Sequence, residues 1–140
     1  MKKLLLTAAV AFCTLVASAQ FMVVTNYDND QEENMDKITA NMGIGFMVND
    51  MITIGMAKGS LDEDGNDTYD LWARYNLAGI DGGYASLTMP SKDGSDDTQI
   101  GIGFSFNVWN GLYIEPNYTM NASNDDDRDG NFNFGLSYKF

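Results

Sequence analysis

The sequence predicts an all-β protein: an eight-stranded antiparallel up-and-down transmembrane β-barrel over residues 20–140, preceded by a cleaved signal peptide over residues 1–19. Three observations carry that expectation. Apolar residues recur with period 2, not 3.6, along most of the chain after residue 19. Long and short connections take turns between the alternating segments. The faces opposite the apolar ones hold Gly, Asn, Ser and Thr in place of the charges that a water-facing sheet carries.

Composition narrows the chemistry before any motif is considered. The 140 residues include 20 acids, 8 bases and no histidine, for a formal net charge of −12. Without histidine there is no Ser-His or Cys-His catalysis, no imidazole base and no ordinary zinc site. The acidic balance argues against a nucleic-acid partner, because phosphate binding needs clustered Lys and Arg.

The segment MKKLLLTAAVAFCTLVASA reads as an export leader. Lys2 and Lys3 form a positive n-region, Leu4 to Val16 an apolar stretch, and Ala17-Ser18-Ala19 a small-x-small cleavage motif. The apolar run is too short for a membrane anchor and passes directly into polar sequence. Bulky Phe12 ahead of Cys13 is wrong for a lipid-attachment box, so the cysteine belongs to the leader. Cleavage leaves 121 residues with no cysteine, and loss of the two lysines takes the charge from −12 to −14. An exported domain this small without disulfides relies on its own core, on metals or on a membrane.

The strands follow in order. Gln20 to Tyr27 is a short first strand of unassigned phase. Ile38, Ala40, Met42, Ile44, Phe46 and Val48 alternate with Thr39, Asn41, Gly43, Gly45 and Met47. Ile52, Ile54 and Met56 mark the next strand, then Tyr69, Leu71, Ala73, Tyr75 and Leu77, then Ala85, Leu87 and Met89. Ile100, Ile102, Phe104, Phe106 and Val108 alternate with Gln99, Gly101, Gly103, Ser105 and Asn107. Leu112, Ile114, Pro116, Tyr118 and Met120 form the seventh segment. Phe132, Phe134, Leu136, Tyr138 and Phe140 close the chain against Asn131, Asn133, Gly135, Ser137 and Lys139. Short connections fall at Asn49-Asp50, Ala78 to Gly82 and Trp109-Asn110-Gly111, all with turn chemistry. Long ones cover 28–36, 59–68, 90–97 and 121–130. Strict alternation puts every long loop at one end and every tight turn at the other. Eight strands of about ten residues, the length that crosses a bilayer when tilted, fit the available chain. A soluble secreted β-sandwich binding module is the competing fold, but its Greek-key connections blur such alternation. Pro116 removes one ladder donor, so a bulge or weak pairing is expected there.

With signal peptide, loop alternation and the ending FNFGLSYKF in view, the chain resembles the small eight-stranded outer-membrane β-barrels of Gram-negative bacteria, the OmpX and OmpA-domain, porin-family type. The resemblance covers the whole chain after the leader. It implies residence in the cell outer membrane, with outer-membrane lipid and lipopolysaccharide as surroundings. It also implies that Phe132, Phe134, Leu136, Tyr138 and Phe140 are the C-terminal signal read by the outer-membrane barrel assembly machinery. A monomer is expected.

The inward face carries the candidate site residues. Asp70, Trp72, Arg74, Tyr113, Glu115 and Lys139 point to the lumen, with Trp72 and Arg74 expected to look across at Gly135 and Ser137. Tyr113 and Glu115 are expected to look at Gly55 and Ala57. Glu115 needs Arg74 or Lys139 as a partner, because an unpaired charge in a narrow lumen is costly. Asp70, Arg74, Glu115 and Lys139 thus form the expected lumen charge network. Of the 20 acids, 17 fall in residues 28–36, 62–70, 93–97 and 125–129, so the long-loop end is strongly negative. Asp62, Asp64, Asp67 and Asp125, Asp127, Asp129 have the spacing of the first half of an EF-hand loop. The bidentate Glu is missing from both, leaving at most weakly bound calcium or magnesium and no other cofactor. These features suggest a non-enzymatic surface-interaction or structural barrel with acidic loops and a filled lumen. The alternative is a small cation-preferring passive channel along Gly43, Gly45, Gly101 and Gly103. Acyltransferases and proteases built on related barrels depend on a histidine that is absent here, and no Ser-Lys or carboxylate pair replaces it.

Overall fold

Closure of one hydrogen-bonded sheet on itself organises the molecule. The computed structural model describes residues 20–91, 97–122 and 130–140. The leader assigned to residues 1–19 and the acidic triplet Asp125, Asp127 and Asp129 therefore lie outside the described residues. The strands are β1 (Phe21–Asn26), β2 (Gly43–Met47), β3 (Ile52–Leu61), β4 (Asp67–Asn76), β5 (Gly83–Pro90), β6 (Gln99–Phe104), β7 (Phe106–Trp109), β8 (Leu112–Asn121) and β9 (Gly130–Lys139), with one helical turn, α1 (Asp36–Thr39). Pairing is antiparallel throughout, and β1 pairs with β9 from Met22 opposite Lys139 to Asn26 opposite Gly135. β6 and β7 both pair with β8 in one register, Gly103 opposite Asn117 and Phe106 opposite Ile114. They are two halves of a single strand, so the barrel has eight. The sandwich alternative is excluded by this closure, which leaves no sheet edge.

The side chains are arranged inside out. Among the described residues, thirty large apolar side chains are exposed and two, Met22 and Tyr84, are buried, whereas Thr53, Glu115, Asn117 and Ser137 are buried polar groups. A water-soluble domain hides its apolar residues, so this inversion fits lipid outside and polar groups within. The phase of β1 is settled by Met22, which is 1% exposed and opposite Gly45. The aromatic side chains Tyr69, Tyr118 and Phe132 toward the long-loop end are exposed, as are Tyr75, Trp109, Tyr138 and Phe140 toward the tight-turn end. They have the placement of two interfacial girdles.

Two local expectations change, and one turn takes the form its residues favour. Ile38, Ala40 and Met42 do not begin a strand. Thr39 N–H donates to Met35 carbonyl and Ala40 N–H to Asp36 carbonyl, and the Thr39 hydroxyl returns to Met35, so these residues close a helical turn. Strand pairing starts at Gly43. The acidic connection expected over 59–68 shrinks to residues 62–66, because β3 and β4 extend to meet at Leu61 and Asp67. The Asp62 carboxylate accepts the N–H groups of Asp64 and Asn66 and so folds that turn. At the opposite end Asn110 and Gly111 both have positive φ, 38° and 92°. That is the backbone of a type I′ hairpin, which Asn-Gly adopts with little strain.

Pro116 weakens the ladder without bulging it. The register against β9 runs unbroken through Pro116 opposite Phe134. On the other side, Thr98 carbonyl accepts the N–H of Ala122. Alternation then makes Phe104 and Pro116 a pair whose bonds point at each other. Proline has no N–H to give, and the strand is interrupted at Ser105, next to Phe104. Pro116→Val is expected to restore the bond to the Phe104 carbonyl and stabilise the barrel by about 1 kcal/mol. An unchanged or lower urea midpoint, read from heat-modifiable gel migration of the refolded barrel, contradicts this account.

Candidate functional site

The even residues of β4 and β5 and the odd residues of β8 and β9 bring the site together at mid-barrel. Arg74 on β4 reaches across to Glu115 on β8, Nη1 to Oε1 and Nη2 to Oε2, both at 2.8 Å. The Ser105 and Ser137 hydroxyls donate to the same Oε1, each at 2.8 Å. Four donors saturate a carboxylate. Glu115 is 2% exposed, and a charge so enclosed persists only when paired and fully hydrogen-bonded. Ser105 alternates with outward Phe104 and Phe106 and so faces the lumen, and its N–H is held by the Gly82 carbonyl.

Aromatic side chains fill what the ion pair leaves. The Arg74 guanidinium carbon lies 3.9 Å from the centroid of Tyr84 and 5.8 Å from that of Trp72, distances at which a cation is attracted to a ring face. Trp72 does not look across at Gly135. It lies sideways over β3 and β2, where a Cβ on Gly55 or Gly45 would overlap the indole. Likewise a Cβ on Gly103 would meet the Tyr84 ring at 2.5 Å. Gly45 and Gly103 therefore give up their space to Trp72 and Tyr84. Asn117 continues the layer, its amide nitrogen donating to the Glu115 carbonyl at 3.0 Å and its oxygen accepting from Asn133 at 3.4 Å. The Arg74 Nε and Trp72 Nε1 atoms are buried with no partner among the described residues.

Other sequence-predicted residues fall elsewhere. Lys139 does not reach Glu115; its ammonium stands 4.0 Å from the Tyr113 ring centroid. Asp70 lies above Trp72 on the long-loop side, opposite Ala57 on one neighbouring strand and Pro90 on the other. Asp62, Asp64 and Asp67 do not converge. Asp62 is occupied within its own turn, Asp67 pairs with Lys58 at 3.4 Å in an exposed contact, and no group of three metal-ligating side chains occurs among the described residues. Phe132, Phe134, Leu136, Tyr138 and Phe140 share the outward face at the end of the chain, with edge-on contacts between Phe132 and Phe134 at 5.2 Å and between Tyr138 and Phe140 at 4.9 Å. Sequence reasoning missed Tyr84 and Ser105 as site residues. The phase of Ala85, Leu87 and Met89 already puts Tyr84 inward, as the alternation with Phe104 and Phe106 does Ser105, but neither position stands out as a partner of the ion pair.

Above the floor is a cavity of about 800 Å³ whose lining runs from Tyr27, Asp28 and Asp30 at the long-loop rim down to Trp72, Tyr84, Arg74 and Glu115. At the rim, the Asp30 N–H and the Gln31 side chain hold the Asp28 carboxyl below its ordinary pKa. The cavity wall includes no residue of the tight-turn half such as Tyr113, Ser137 or Lys139. It is a cup.

Residues 8–140 match the model of a family described as outer membrane protein beta-barrel domain. The chain belongs to that family. Membership of the outer-membrane β-barrel family implies an outer-membrane location and gives the apolar exterior its solvent, the lipid. Comparisons with curated proteins and with solved structures gave no match. In this family member, Arg74→Met alone leaves the Glu115 carboxylate buried and uncompensated. It is expected to cost about 3–5 kcal/mol, and Glu115→Gln to cost less, because the amide still bonds the serines. The double variant Arg74→Met with Glu115→Leu is expected to lose less than the sum of the singles, a coupling measured by a urea double-mutant cycle on the vesicle-inserted barrel.

Proposed function

We propose that this is a non-enzymatic outer-membrane barrel with a structural and surface-interaction role, its acidic loops facing out of the cell and its lumen closed by side chains. The observation that carries the reading is the saturated Arg74–Glu115 pair, wedged between Tyr84 and Trp72 across mid-barrel. A floor of this kind is expensive to open, because any displacement of Arg74 strands a buried charge. The acid-rich loop regions at one end support a role at the surface. Divalent ions that bridge these carboxylates to lipopolysaccharide phosphates would hold the rim to its surroundings without a preformed cage. The topology supports this orientation, in which tight turns and both barrel termini lie on the periplasmic side. As further parts of the proposal, the aromatic face of β9 serves as the signal for the assembly machinery, and the barrel acts as a monomer.

Planar-bilayer recording tests the closed lumen. The expected result is no steady conductance from the parent barrel, and measurable cation-preferring conductance once Arg74→Ala and Glu115→Ala are combined. A steady open channel in the parent would replace this reading with that of a small passive porin.

A further inference from the structure

The cup above the floor has the features of a ligand site. Asp70 projects from β4 into it, and its neighbours across the ladders, Ala57 and Pro90, carry no hydrogen-bond donor in their side chains. Gly59, close by on β3, is equally bare, and a Cβ there would press on Thr68 Oγ1 at 2.5 Å and on Asp70 Oδ1 at 2.8 Å. No ion pair joins Asp70 to any basic side chain among the described residues. Trp72 follows two positions along on the same face, roughly 7 Å further down the strand, and Tyr84 lines the same cavity. The two cations on the wall are already engaged, Arg74 by Glu115 and Lys58 by Asp67. Asp28, Asp30 and Asp97 line the cavity as well, so the balance of charge among its described lining residues is negative. A carboxylate with no basic partner among the described residues, over aromatic side chains in a polar cavity, is the chemistry that holds an alkylated ammonium group.

We infer that the cup binds a small organic ammonium ion, its charge on Asp70 and its carbon substituents against Trp72. About 800 Å³ admits such a ion with part of a polar body attached. The inference rests on the reading of a lumen closed below by the Arg74–Glu115 floor. Conductance in bilayers tests that reading alone, and the titration below tests the cup alone, so the two failures are distinguishable.

The chain has two tryptophans, Trp72 and Trp109. In a Trp109→Phe background folded in octyl glucoside micelles, fluorescence therefore reports Trp72. Choline chloride is expected to give a saturable change that potassium chloride at equal ionic strength does not. Asp70→Asn, close in shape and uncharged, is expected to weaken binding at least tenfold. Asp62→Asn, outside the cavity lining, is expected to leave it within twofold. Ala57→Leu keeps every charge and narrows the cup beside Asp70, and it is expected to abolish the response even if Asp70→Asn fails to fold. Heat-modifiable migration identifies the folded variants. A response that does not saturate, that potassium chloride reproduces, or that survives either Asp70→Asn or Ala57→Leu overturns the inference.

Discussion

A carboxylate in the middle of a narrow barrel cannot be left to water, and the interior of this protein is arranged around that constraint. Glu115 accepts four hydrogen bonds from two strands and one gap: β4 gives Arg74, β9 gives Ser137, and the break between β6 and β7 gives Ser105. Arg74 in turn needs a surface for its planar faces, which Tyr84 and Trp72 provide. Those rings need room, and Gly45, Gly55 and Gly103 leave it. Each step of the chain follows from the one before. Gly45 of β2 and Gly103 of β6, which read from sequence as part of an open path, are recesses for Trp72 and Tyr84.

The same region shows how a local loss in the ladder serves the site. Pro116 withholds a hydrogen bond from Phe104, costing about 1 kcal/mol at an interior strand. The interruption that accompanies it lies at Ser105, whose hydroxyl supplies one of the four bonds to Glu115. Burying a carboxylate one donor short would cost more than one ladder bond.

The architecture was legible because a bilayer enforces period 2 on every crossing strand. The alternation in β4, β6 and β9 assigns each residue to a face, and the face of Asp70, Trp72, Arg74 and Glu115 was read from that alone. Partners across the lumen were harder. Strand shear and the sideways reach of long side chains decide whether Trp72 meets Gly135 or Gly55, and period 2 is blind to both. The turn at Asp36–Thr39 misled for another reason: Ile38, Ala40 and Met42 mimic strand spacing, yet a Thr hydroxyl and the Met35 carbonyl favour a local helical closure. The carboxylates of residues 62–67 look like metal ligands in sequence because spacing does not reveal that Asp62 is already held by backbone N–H groups.

The height of the floor divides the molecule into unlike halves. Had the ion pair sat near the long-loop rim, Asp70 would lie beside Arg74 and be neutralised by it. Two inward positions separate them along β4, and Trp72 occupies the one between. That indole insulates Asp70 from the guanidinium while leaving both on the same face. The guanidinium then has one carboxylate, Glu115, and the acids above it have none of its charge to share. A cup that opens toward the long-loop end, with a negative balance of charge among its described lining residues, is therefore a consequence of how the lumen is filled, and the fill is dictated by the need to satisfy one buried acid.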